Sequence, residues 1–227
     1  MSNLQILVAV PAYNCSSQIH RVIRQYVDSS FDSFVELLVI DNRSNDNTLE
    51  KAIESARINS NKQISIIQND QNYSLGGSHK VAFKYSLQKK YDGVVILHGD
   101  DQGRLSEIEP YLKAKNLNNY DCILGARFMS ESQLSGYSHF RVLGNIIFNL
   151  IYSICTQKKV FDMGSGLNFF SRKLISNSIH EKMPDDLTFN NAFLLAIIAA
   201  NKNLQFIPIS WREEGQVSNA KLLERRF

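Results

Sequence analysis

Val94-Val95-Ile96-Leu97-His98-Gly99-Asp100-Asp101-Gln102 runs four apolar residues straight into two adjacent carboxylates. A short β-branched run bounded by Gly93 and Gly99 predicts a buried parallel strand. Ligands of open α/β sheets sit just past the carboxyl ends of such strands, so the acidic pair falls on the floor of a cleft. A carboxylate near a buried strand end is costly unless it is paired or coordinates a cation. Mg²⁺ or Mn²⁺ bridging to substrate phosphates is one reason to keep carboxylates there. An ordinary turn, with Asp101 starting a loop, is the other.

Outward from that strand, a strand-loop-helix unit recurs three times on its N-terminal side. Residues 6–10 are apolar, and Pro11-Ala12-Tyr13-Asn14 turns the chain into a segment with Ile19, Val22, Ile23, Tyr26 and Val27 at helical spacing, with Ser16 or Ser17 placed to cap it. Residues 35–40 form a second strand, followed by the polar run Asp41 to Thr48 and a helix with Leu49, Ala52, Ile53 and Ala56 on one face. Residues 64–68 form a third, leading through Asn72 and Gly76-Gly77 into a helix carrying Val81, Ala82 and Tyr85. Such alternation predicts right-handed crossovers and a mostly parallel, Rossmann-like sheet with helices on both faces. Asp41, Asn72, Gly77 and Asp100 should then border one crevice. Helix capping accounts for most of residues 44–48, but Asp41 lies too far ahead of its helix to cap it, which favours a ligand-facing role. The second half is less regular. Strands at 123–128, 167–170 and 204–209 and helices at 140–156 and 187–202 predict antiparallel edge strands on the parallel core.

The whole chain sets the outer limits. At 227 residues and 44% hydrophobic content, it reads as a single domain over 1–227. Its donor-binding part is about residues 1–102 and its acceptor side about 103–227. The net charge of +3 is spread out, which excludes a nucleic-acid-binding stripe and leaves room for anionic ligands or a membrane surface. Cys15, Cys122 and Cys155 are odd in number and far apart, as in a reducing compartment, and the N-terminus lacks the regions of a signal peptide. Both features point to the cytoplasm. The most apolar stretch, residues 142–155, is interrupted by Gly144, Asn145 and Asn149 and is too short to cross a bilayer core of about 30 Å. It reads as a core helix, a dimer interface or an interfacial helix at the inner face of the cytoplasmic membrane. Neither a G-x-G-x-x-G fingerprint nor a Walker loop is present, so a nucleotide must be held in another way.

The strand ending in Pro11-Ala12-Tyr13-Asn14, the run Asp41, Ser44, Asp46, Thr48, the Asp100 region and the tail from Arg212 to Ser218 together resemble the family-2 glycosyltransferases with the A-type nucleotide-sugar fold, in the branch similar to dolichol-phosphate mannose synthases. The resemblance is ordered from Val10 to Asn219. It implies that Asp41 accepts a hydrogen bond from the nucleotide base and that Pro11, Ala12 and Tyr13, with Asn14 beside them, line the base pocket. Asp100 and Gln102 match the second Asp and the Gln of the family's metal motif, while His98 replaces its first Asp. The implied ion, Mg²⁺ or Mn²⁺, would be held by Asp100 and Gln102, with Asp101 as a further candidate, together with diphosphate oxygens. His98 is read either as reaching the diphosphate or as a packed histidine. Gly125-Ala126-Arg127 and Asp162-Met163-Gly164-Ser165-Gly166 resemble acceptor-side segments, which makes Arg127, Asp162 and Ser165 candidate substrate contacts. The tail assigns Arg212 and Ser218 to the diphosphate, with Asn219 in place of the family's Lys.

The resemblance implies an inverting transferase that takes a sugar from a nucleotide diphosphate sugar to a polyprenyl phosphate or lipid-linked glycan, as in cell-envelope polysaccharide synthesis, peripheral to the membrane and open to homo-oligomers. Asp186 resembles the catalytic base of members that glycosylate sugar hydroxyls, and it is equally placed to be a helix N-cap. Three alternatives stay open: a sugar-hydroxyl-directed member, a catalytically silent nucleotide-sugar-binding relative, and a sugar nucleotidyltransferase. The last would want a basic Gly-rich loop after the first strand, and residues 11–17 have none.

Overall fold

The computed structural model describes residues 4–114 and 117–213. The first half alternates strictly: β1 (Ile6–Ala12), α1 (Ile19–Asp28), β2 (Phe34–Asp41), α2 (Thr48–Ile58), β3 (Ile64–Gln68), α3 (Ser74–Gln88) and β4 (Gly93–Leu97). A short α4 (Glu109–Leu112) precedes β5 (Cys122–Ala126), and β6 (Leu134–Ser135) leads into α5 (His139–Thr156). β7 (Leu167–Ser171), α6 (Arg172–Ile175), α7 (Phe189–Ala199), β8 (Leu204–Pro208) and β9 (Trp211–Arg212) complete the described chain.

Seven strands form one sheet in the order β3-β2-β1-β4-β7-β5-β8, and β6 pairs with β9 in a separate ribbon. β1, β2 and β4 are buried on both faces, which is why β1 and β4 read as unbroken apolar runs and β2 as an apolar run interrupted only by Glu36 before Asp41. On one face, α1 packs Ile19, Val22, Ile23 and Tyr26 against Val8, Val10, Val39 and Val95, and Leu112 of α4 joins the same core. On the other face, Ala82 and Phe83 of α3, Leu174 of α6 and Phe189, Phe193 and Ile197 of α7 cover Leu7, Ala9, Ile40 and Ile96. The mostly parallel, doubly covered sheet is therefore as expected.

Three expectations are corrected. The antiparallel strand is not at an edge: β7 lies inside, antiparallel to both β4 and β5, while β5 and the edge strand β8 are parallel. It can sit there because Leu167, Phe169 and Phe170 are buried like the parallel strands beside them. Residues 204–209 are not the last strand, since Trp211–Arg212 pairs with Leu134–Ser135. Neither Ser16 nor Ser17 caps α1. Its N-cap is Gln18, without a side-chain bond, and Cys15 O instead accepts from the amides of Gln18 and Ile19, both at 2.9 Å. Among the described residues, no helix is long and apolar enough to cross a membrane. α5 is not a core helix either, because of its residues only Asn149 is buried.

Candidate active site

The carboxyl ends of β1, β2 and β3 are aligned by register, Ala12 opposite Asp41 and Asp41 opposite Gln68. The loops beyond them are stitched together. Asn14 N donates to Ser44 Oγ at 3.0 Å, Asn45 N to Asn14 Oδ1 at 2.8 Å, Cys15 N to Thr48 Oγ1 at 2.9 Å and Ser16 N to Asp46 Oδ2 at 3.1 Å. Asp46 Oδ1 also receives Thr48 N at 3.0 Å, and these bonds more than offset burial and hold its carboxyl below the usual range. Residues 44–48 thus brace the first loop as well as starting α2. Pro11 and Ala12 are buried within β1, so of the four residues assigned to the base pocket only Tyr13 and Asn14 reach the surface.

Asp41 is fully buried. Its Oδ2 accepts from Gln68 Nε2 at 2.9 Å and from Ser44 N at 3.3 Å, while its Oδ1 has no hydrogen-bond partner among the described residues. A buried acceptor left unmade costs about 1–3 kcal/mol, so a donor brought by a ligand is the economical reason to keep it. Asn42 is the hub of the loops. Its amide donates to Asn72 Oδ1 and Ser74 O and accepts from Asn69 Nδ2 and Tyr73 N, at 2.8–3.1 Å. A carboxylate could not make the two donations. Asn72 is therefore a structural partner at the start of α3 rather than a free ligand group. Gly77 is likewise used in packing: the amides of Gly76 and Gly77 both donate to Asp185 O, and a Cβ on Gly76 would meet Pro184 O at 2.5 Å.

Beyond β4, Gly99 N donates to Pro11 O at 3.0 Å and fixes the acidic loop over β1. Asp100 is pushed up to about 6 by burial, reinforced by the neighbouring Asp101 and opposed by bonds from backbone amides and by Arg127. His98 turns inward. Its ring lies 5.5 Å from that of His79 and packs on Gly166, its Nε2 is buried without a partner among the described residues, and burial, with His79 and Arg127 near, lowers it to about 3. It is the packed, neutral histidine and not a diphosphate contact. Asp101 is corrected as a free ligand group too. Its buried carboxylate receives Arg21 Nε at 2.6 Å, Gln25 Nε2 at 2.9 Å and Arg212 Nη2, at a backbone φ of +59°. The divalent ion that the resemblance implies is then assigned to Asp100 with Gln102. Among the described residues no group of three His, Cys, Asp or Glu is arranged for a metal. Two protein oxygens completed by diphosphate oxygens suit Mg²⁺ or Mn²⁺, which keep much of their shell on substrate and water.

Arg212 reaches this loop because β9 pairs with β6 on one side while its amide donates to Gln102 O at 3.3 Å on the other. Arg127 and Asp162, which the resemblance assigns to the acceptor, are brought together as a forked pair, Nε to Oδ2 at 2.7 Å and Nη2 to Oδ1 at 2.8 Å, with Arg127 Nη1 donating to Tyr137 Oη at 3.1 Å. Their charges are thus spent largely on each other. Ser165 is buried, donating to Leu167 O at 3.3 Å. Asp186 Oδ1 accepts from Thr188 N at 2.8 Å and Thr188 Oγ1 at 2.5 Å, which lowers its carboxyl and makes it part of the turn into α7. Ser218 and Asn219 lie outside the described residues. Sequence reasoning missed Arg21 and Gln25, whose helical spacing marked α1 but not the direction of its polar side chains.

The family model described as Glycosyl transferase family 2 matches residues 7–178. An uncharacterized protein of Methanocaldococcus jannaschii is 24% identical over 205 residues, covering 90% of this chain and 80% of that protein. The undecaprenyl-phosphate 4-deoxy-4-formamido-L-arabinose transferase of Proteus mirabilis is 28% identical over 182 residues, and this chain spans 78% of its own length but only 53% of that relative's. Among solved structures, glucosyl-3-phosphoglycerate synthase from Mycobacterium tuberculosis, in complex with Mn²⁺, UDP-glucose and phosphoglyceric acid, aligns with a TM-score of 0.65 at 14% identity over 97% of this chain and 75% of that one. At that identity the likeness establishes the fold.

Proposed function

The chain belongs to glycosyl transferase family 2, and on that premise we propose that it transfers a sugar, with inversion, from a nucleotide diphosphate sugar to a polyprenyl phosphate at the inner face of the cytoplasmic membrane. The observation that carries donor binding is the pair of carboxylates flanking the end of β1: Asp41 on β2, with its unmet buried oxygen, and Asp100 just past β4. Asp41 accepts from the base, Tyr13 and Asn14 border it, and Asp100 with Gln102 would hold a divalent ion, which when bound would supply charge neutralisation for the leaving diphosphate. Mn²⁺ in the solved relative supports a divalent ion and leaves the choice of metal to experiment.

The acceptor oxygen attacks the anomeric carbon, the bond from that carbon to the diphosphate breaks, and its electron pair departs with the diphosphate. Arg212 borders the acidic loop and adds positive charge for the departing group, with Asp101 holding its guanidinium in place. A phosphate acceptor is already anionic at neutral pH, so this chemistry rests on positioning rather than on a general base. The engagement of Asp186 with Thr188 supports that reading, as does the Proteus relative. The exposed apolar surface of α5 supports delivery from a bilayer.

Calorimetric titration with uridine, guanosine and adenosine diphosphates, with and without Mn²⁺, tests donor binding. A protein that binds none of them in the presence of Mn²⁺ overturns the proposal. Transfer of labelled sugar into organic-extractable undecaprenyl phosphate, rather than into a water-soluble acceptor, tests the acceptor class.

A further inference from the structure

α5 presents Phe140, Leu143, Ile147, Leu150, Ile151 and Ile154 to solvent, from 50% exposed at Ile147 to 86% at Phe140. At its far end the chain turns through Gln157 in the left-handed conformation into Lys158 and Lys159. Together with Lys202, which follows α7, these border a concavity of about 740 Å³. It opens beside Tyr120 and Leu204, at the starting ends of β5 and β8, the sheet edge opposite the one that carries Asp41 and Asp100. This is a separate place from the donor cleft.

The charge there is uncompensated. No acidic residue lines the concavity, and none of the three lysines forms a salt bridge among the described residues. Asp121, next to Tyr120, is buried, accepts Asn203 N at 2.9 Å and is paired with Lys173 at 3.1 Å. The ends of α5 and α7 converge here, but a helix C-terminus carries only about half a negative charge, so two of them leave the lysines about two charges in excess. Lys159 Nζ stands 4.6 Å over the ring of Phe161, itself 5.7 Å from that of Phe206. The result is a cationic, amide-lined hollow with an aromatic wall, continuous with an apolar helix.

We propose that this hollow seats the phosphate of an anionic lipid headgroup when α5 lies on the bilayer, orienting the protein on the membrane; the inference rests on the membrane reading of α5 given above. A second copy of the chain fits less well, because a two-fold pairing of α5 faces would bring lysines of like charge together.

Vesicle flotation decides it, using phosphatidylcholine alone and phosphatidylcholine mixed with phosphatidylglycerol. The variants are Lys158→Ala/Lys159→Ala/Lys202→Ala, a charge-matched control Lys51→Ala/Arg57→Ala/Lys84→Ala on other helices, and Ile147→Ser/Ile151→Ser. The lysine variant should lose affinity for the anionic vesicles by a factor of at least about ten, and the control by less than about two. The serine variant should lose both vesicle types. Equal losses in the lysine variant and the control, or an unchanged lysine variant, each overturn the headgroup site while leaving membrane binding in place. A wild-type chain that floats with neither vesicle, or that forms an α5-dependent dimer in solution, overturns the membrane reading and the inference with it.

Discussion

The backbone carbonyl of Asp101 accepts Arg212 Nε at 3.0 Å while its carboxylate accepts Nη2 of the same guanidinium, so one residue grips both arms of the fork. Arg21 and Gln25 of α1 bind the same carboxylate from the other side. α1, the acidic loop and β9 are thereby joined through a single buried side chain. Asp101 thus anchors both arginines at the mouth of the acidic loop.

This grip is measurable without activity. In a double-mutant cycle of Asp101→Asn and Arg212→Gln, urea denaturation should give a coupling energy of about 1 kcal/mol or more. Asp101→Asn alone should cost about 1–3 kcal/mol, tempered by the partial exposure of both arginines. Strict additivity of the two substitutions would mean that the pair does no more than share a surface.

Asp100→Ala should abolish Mn²⁺-dependent binding of nucleoside diphosphate, since only Gln102 then remains of the protein's oxygen ligands. Calorimetry in Mn²⁺ and in chelator reads this directly. An unchanged Mn²⁺ dependence in a folded variant rules out the assignment of Asp100 to the ion.

Asp41→Ala should weaken nucleoside diphosphate binding by about 1.5–3 kcal/mol, the worth of a charged hydrogen bond to the base. Affinity at the wild-type level would make Asp41 a tie for Gln68 and Ser44 only.

Glu36 gives a pH prediction. It is buried on β2, and although burial pushes its carboxyl up, donors from Ser65, Tyr91 and Tyr85 and the Lys89 charge outweigh that and hold it below its ordinary value. A depressed folded pKa stabilises the protein above the unfolded value, about 4.3 for Glu, and that stabilisation is lost as pH falls through the folded pKa. Tyr91→Phe should lower stability at pH 7 by about 1 kcal/mol or more and narrow the gap from wild type below about pH 4. Thermal unfolding across pH would show a constant gap if Glu36 were not involved.

Asp186→Asn should keep at least about a tenth of wild-type turnover, because its carboxylate serves the turn into α7, whereas losing a needed general base costs a factor of roughly 10² to 10⁴. A loss of that size in a folded enzyme would move the acceptor from a phosphate to a sugar hydroxyl.

The sequence by itself determined the parallel half of the sheet and the places where ligands gather. Apolar runs at β1, β2 and β4, broken only by Glu36, mean burial on both faces, helical spacing fixed the crossovers, and strand ends then placed Asp41 and Asp100 at one edge. These are local patterns, and periodicity reads them directly. Only the tertiary structure decided that β7 runs antiparallel inside the sheet, because a buried antiparallel strand carries the same apolar residues as a parallel one. It also decided the partners of the polar groups. Asp101 is consumed by Arg21, Gln25 and Arg212, partners 76 to 111 residues away. Asn42 became a hub, and α5 came to lie on the surface, for the same reason. What a side chain meets depends on where the rest of the chain folds back, and no local pattern contains that.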